Sequence, residues 1–137
     1  MEKDSTYSVF VADDDDDDRF LMKIAFDKCC PEAKIEFAVD GLDLLSALEQ
    51  SPSHACLIIL DLNMPRLNGF DSLKILRASK TYQSTPIIVF STSSSERDIQ
   101  KAQRMGANEY LVKPIDIISL CNMVNKLKVD WNLVDCQ

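Results

Sequence analysis

The chain is poor in glycine, histidine and basic residues, and each shortage removes a class of function. Its three glycines, Gly41, Gly69 and Gly106, stand too far apart to build either Gly-rich loop that cradles nucleotide phosphates. The single histidine, His54, has no second imidazole for a zinc site or relay and reads as a surface residue ahead of a strand. Lys and Arg number 15 against 22 Asp and Glu, and the net charge is −7. That balance opposes a nucleic-acid surface, which needs clustered cations to neutralise phosphates, and suits an acidic face toward a protein partner. No apolar run approaches the ~20 residues that span a bilayer, and Met1 to Ser8 lack the apolar core of a signal peptide, so a soluble, cytoplasmic protein with no membrane contact is expected. The five cysteines, Cys29, Cys30, Cys56, Cys121 and Cys136, include no Cys-x-x-Cys pair and are expected to be reduced, serving as small hydrophobes.

What is present is a repeated alternation. At 137 residues, 46% of them hydrophobic, the chain suffices for one domain with one well-formed core. Apolar runs at Tyr7–Ala12, Ala55–Leu60 and Ile87–Ser91 read as strands buried on both faces, and an alternating strand at 34–39 and a short one at 109–112 complete a set of five. Between and after them lie helical stripes: Phe20, Leu21, Ile24 and Ala25; Leu44, Leu45 and Leu48; Phe70, Leu73 and Leu76; Ile99, Ala102 and Met105; Ile117, Leu120, Val124 and Leu127, the last helix running from about Ile115 to Lys128. Five βα units imply a parallel sheet covered on both faces, a flavodoxin-like α/β fold with strand order 2-1-3-4-5. That order makes strands 1 and 3 neighbours at the topological switch point, where ligands gather beyond the carboxyl ends of the strands.

The strand ends are chemically loaded. Strand 1 stops on Asp13 and Asp14, strand 3 on Asp61, strand 4 on Ser91, and strand 5 is followed by Lys113 and Pro114. Carboxylates brought together raise one another's pKa unless a cation intervenes, and Mg²⁺ is the ordinary resident of an all-oxygen site. A calcium loop starting at Asp13 is excluded, because its sixth position is Asp18 instead of Gly and its twelfth is Ile24 instead of Glu. A phosphatase of the haloacid-dehalogenase kind needs a second Asp two residues after its nucleophile, where this chain has Asn63.

An acid pair, a lone Asp followed by Leu62-Asn63-Met64-Pro65, then Asn68-Gly69, a hydroxyl and Lys113-Pro114, each on its own strand end, resembles the response-regulator receiver domain of two-component signalling. The resemblance covers about residues 7–128, between tails 1–6 and 129–137. The run Val11 to Asp18 is most similar to single-domain regulators, including those associated with phytochromes. The resemblance implies that Asp61 accepts a phosphoryl group from a sensor histidine kinase or phosphotransfer protein. Asp14, Asp61 and the Asn63 backbone carbonyl would ligate Mg²⁺, and Asp13 would act through water. It further implies that Lys113 pairs with the phosphoryl group, that Pro114 is cis, and that Ser91, where threonine is commoner, donates to a phosphoryl oxygen while Tyr110 turns its ring inward. Such a protein is a signalling phosphoacceptor and not an enzyme acting on other substrates. The 23 residues after Pro114 leave room for one helix and a tail, not for an output domain. Output would then pass through the surface of helix 4, strand 5 and helix 5, toward a target protein or a second copy. A degenerate receiver that binds partners without phosphorylation is the alternative.

Overall fold

A computed structural model of the chain describes residues 7–51 and 54–133. Ten elements alternate: β1 (Tyr7–Ala12), α1 (Asp16–Cys29), β2 (Lys34–Ala38), α2 (Gly41–Gln50), β3 (His54–Leu60), α3 (Gly69–Ala78), β4 (Ile87–Ser91), α4 (Glu96–Arg104), β5 (Glu109–Val112) and α5 (Ile117–Asp130). The strands form one parallel sheet in the order β2-β1-β3-β4-β5, the flavodoxin-like arrangement expected from the sequence. Alternate residues of each central strand serve opposite faces. Val9, Val11, Leu57 and Ile59 pack with Met22 and Phe26 of α1 and Val124 and Leu127 of α5. Phe10, Ile58 and Leu60 pack with Leu44 of α2 and Leu73 and Leu76 of α3. Burial on both sides is why β1, β3 and β4 read as unbroken apolar runs.

Every helix is opened by an acid, amide or hydroxyl that accepts a hydrogen bond from the backbone N–H three residues on: Asp15, Asp40, Asn68, Ser95 and Asp116. These caps place the helix starts. Asp116 delays α5 to Ile117, two residues after the position expected from periodicity, and leaves Ile115 98% exposed. Helix α4 buries only Ala102, which makes it the most weakly anchored of the five.

Two local expectations are corrected. No peptide bond among the described residues is cis, so the Lys113–Pro114 bond is trans. Trans is the lower-energy isomer of an X–Pro bond by ~0.5–1 kcal/mol, and from it Lys113 already reaches the carboxylates. Cys56 is disulfide-bonded and not a reduced thiol, whereas Cys29, Cys30 and Cys121 are free. Sequence spacing exposes only neighbouring cysteine pairs, so a bond closed by the fold leaves no such mark. Residues 1–6, Cys136 and the rest of 134–137 lie outside the described residues. No helix among the described residues is long and apolar enough to cross a membrane.

Candidate phosphoacceptor site

The register of the sheet assembles the site. Ala12 pairs with Ala38 on one side and Leu60 on the other, and the ladders run one residue further: Asp13 N–H donates to Ala38 O and Asp61 N–H to Ala12 O, both at 3.0 Å. Asp13 and Asp61 therefore emerge side by side, 2% and 6% exposed. Across β4, Ser91 pairs with Val112, and Lys113 N–H donates to Ser91 O at 2.8 Å. This aims the lysine back over the acids.

The Lys113 ammonium has three carboxylate partners: Asp18 Oδ2 at 2.7 Å, Asp13 Oδ2 at 2.8 Å and Asp61 Oδ2 at 3.2 Å. Burial lowers the pKa of this lysine, but hydrogen bonds to Asp13 and Asp18 and the charges of Asp13 and Asp61 outweigh that effect and hold it above its ordinary value. Burial raises the Asp13 carboxyl, against the pull of Lys113. It also raises Asp61, to about 6, reinforced by the charge of Asp13 and opposed by Lys113. One oxygen from each of Asp13, Asp14 and Asp61 lies within 4.8 Å of the others. Two of these acids are buried and Asp14 is exposed, so the cluster opens outward. Three converging hard donors fit a divalent, oxygen-seeking cation such as Mg²⁺.

The β3–α3 loop borders the site on one side. Asn63 is exposed, and its backbone amide helps lower the Asp61 carboxyl against the effect of burial. The loop is clamped by Arg66, which takes the left-handed conformation (φ 64°) and grips buried Asp40 with Nε at 2.6 Å and Nη2 at 2.9 Å. At its far end Gly69 donates to Leu62 O at 2.9 Å. A Cβ at Gly69 would lie 2.4 Å from Asp61 O, so only glycine permits this approach. Beside the acids the surface opens into a cleft of about 560 Å³, with Asp14, Asn63, Phe70 and Asp98 on its walls.

On the β4 side, Ser91 is fully buried and its hydroxyl oxygen accepts the N–H of Ser93 at 3.1 Å. Ser93 Oγ donates to Asp98 Oδ2 of α4 at 2.7 Å, and Tyr110 donates its hydroxyl to Ser93 O at 2.8 Å. Tyr110 is half-buried and packs with Leu62, Val89 and Ala102. The five strand-end positions singled out from the sequence thus lie at one end of the sheet. Asp18 is a further site residue that the sequence does not single out: it stands in an unbroken run of acids, and only its place in the first turn of α1 brings it above the end of β1. The Arg66–Asp40 clamp was also invisible, because it joins residues 26 apart.

The profile of the response regulator receiver domain matches residues 9–125. The probable methanogenesis regulatory protein FilR2 of Methanothrix harundinacea is 27% identical over 135 residues, 96% of this chain and 87% of that protein. The crystal structure of response regulator RPA3017 in red light signalling of R. palustris superposes with a TM-score of 0.84 at 30% identity, covering 93% of this chain and 94% of that one. The phosphorylated cyanobacterial phytochrome response regulator RcpA superposes equally well, TM-score 0.84, at 25% identity over 94% and 95% of the two chains. Receiver domains are signalling phosphoacceptors that bind Mg²⁺ through acidic residues and interact with histidine kinases or phosphotransfer proteins and with downstream targets. This chain, with its acidic strand ends converging beneath a lysine, belongs to the response-regulator receiver family of two-component signalling.

Proposed function

We propose that the chain is the receiver of a response regulator, spanning residues 7–128, in which Asp61 accepts a phosphoryl group from a phosphohistidine. The observation that carries this reading is the convergence of Asp13, Asp14 and Asp61 beneath the Lys113 ammonium. A carboxylate oxygen of Asp61 attacks phosphorus, the N–P bond of the phosphohistidine breaks, and its electron pair returns to the imidazole. Phosphoryl transfer requires an in-line nucleophile and neutralised oxygens more than it requires acid–base catalysis. Lys113 supplies one positive charge to those oxygens. Asp14, Asp61 and the Asn63 carbonyl, with Asp13 through water, would hold Mg²⁺, which when bound would supply the remaining positive charge. Ser91, whose oxygen accepts the N–H of Ser93, donates a hydrogen bond from its hydroxyl to a phosphoryl oxygen. The resulting acyl phosphate is lost to water, so the protein turns over only itself.

The aspartyl phosphate carries about 1.5 to 2 negative charges at pH 7, up to one more than the carboxylate it replaces, and places them on three projecting oxygens. Ser93 joins the end of β4 to both Asp98 of α4 and Tyr110 of β5, and α4 has one buried anchor. Pulling Ser91 toward the phosphoryl group loosens that junction, so α4 and Tyr110 respond together. Output passes through the face of α4, β5 and α5, where β5 is an edge strand and Val112 and Ile118 are 45% and 72% exposed, to a target protein or a second copy. The setting is the cytoplasm, where histidine kinases present their phosphohistidine.

The test is intact mass after incubation with acetyl phosphate and Mg²⁺, alongside an EDTA control and Asp61→Asn. One phosphate adduct on the unaltered protein, dependent on Mg²⁺ and absent from the variant, is expected. No adduct in any sample would favour the alternative, a receiver that binds partners without phosphorylation.

A further inference from the structure

Asp18 makes the shortest of the three contacts to Lys113, 2.7 Å against 3.2 Å for Asp61. We propose that Asp18 is a holding residue: in the unphosphorylated protein it draws the Lys113 ammonium away from the acceptor carboxylate, and the incoming phosphoryl group must break that pair to recruit the lysine. This inference rests on the reading of Asp61 as acceptor.

An ammonium has three donors; here two are hydrogen-bonded to Asp18 and Asp61 while Asp13 pairs with it at 2.8 Å, so three carboxylates already compete with any fourth anion. One partner must yield when phosphoryl oxygens arrive. Asp13 and Asp61 are buried and flanked by the strand ladders, and Asp13 is held further by the N–H of Asp15 on its Oδ1 at 3.0 Å. Asp18 is different. Its side chain is 33% exposed, so water takes over its solvation once the pair opens. It is nevertheless well placed while the pair is closed, because its own N–H is fixed on the capping carboxylate of Asp15 at 3.0 Å. Asp18 carries one negative charge and the aspartyl phosphate up to two, so the ammonium passes from the weaker anion to the stronger. Asp18 therefore opposes loading without touching phosphorus.

Initial rates of acetyl phosphate adduct formation at saturating Mg²⁺ decide the matter in the full chain, comparing the unaltered protein, Asp18→Asn and Asp17→Asn. Asp17 is exposed on the same turn and is not one of the three partners of Lys113, so its variant removes an equal charge without the contact. Asp18→Asn is expected to load about two- to fivefold faster, as for loss of a modest ion pair, with Asp17→Asn near the unaltered rate. A structural defect would not raise the rate. Unchanged or slower loading of Asp18→Asn overturns the proposal, as does an equal gain in Asp17→Asn, which would assign the effect to the general field. If the unaltered protein forms no adduct, the acceptor reading and this inference fall together; an adduct with no gain in Asp18→Asn overturns the inference alone.

Discussion

Replacing Lys113 by methionine, which has nearly the same length and no charge, should destabilise the metal-free protein because it strands buried acids. The Lys113 side chain is 9% exposed, and the carboxyl side chains of its partners Asp13 and Asp61 are 3% and 8% exposed. Removing one side of a buried pair costs about 3–5 kcal/mol when the remaining charge is sealed from water. Here Asp18 opens to solvent and the buried acids can take up protons, which places the loss near 2–3 kcal/mol. With a urea slope of about 2 kcal/mol/M for a chain of this size, the unfolding midpoint of Lys113→Met in EDTA should fall by about 1–1.5 M. Mg²⁺ should narrow the gap, since a cation on the carboxylates restores the missing positive charge. An unchanged or raised midpoint in EDTA would refute the electrostatic account of the site.

Asp61→Asn should have the opposite sign. Folding raises this carboxyl from 3.8 to about 6, so the folded state holds the proton more tightly, and stability is gained as pH falls through 6 toward 3.8. In EDTA at pH 7 the variant should therefore be more stable by about 1–3 kcal/mol, an advantage that shrinks toward zero by about pH 4 in urea titrations at both pH values. Gly69→Ala should lower stability by about 1–3 kcal/mol and slow phosphate loading as well, because the new Cβ meets backbone atoms of Asp61 and Leu62; thermal melts and adduct rates read the two effects. Arg77 donates to the carbonyls of Tyr82, Thr85 and Gly106 and to Asn108 Oδ1, tying the α3–β4 loop to the α4–β5 turn. Arg77→Met should cost about 2–3 kcal/mol in urea unfolding while leaving loading of the folded protein Mg²⁺-dependent.

What could be read from the sequence and what could not divide along physical lines. The strands were legible because β1, β3 and β4 are buried on both faces and leave unbroken apolar runs, and the βα alternation then implies the strand order. The strand-end residues were legible because a strand end is a fixed place in space: Asp13, Asp61, Ser91 and Lys113 each follow such a run or close it. Features made by side chains reaching across the sequence were not legible. Asp18 meets Lys113 across 95 residues, and Arg66 meets Asp40 across 26. No periodicity records such pairs. The start of α5 moved because one capping side chain, Asp116, sets the first turn at Ile117 instead of about Ile115.

The most direct measurement locates the phosphate. After loading with acetyl phosphate and Mg²⁺, borohydride reduction of the acyl phosphate followed by peptide mass mapping should find homoserine at position 61 and unreduced aspartate at 13, 14 and 18. Reduction at any of those other carboxylates, with Asp61 intact, would contradict the account.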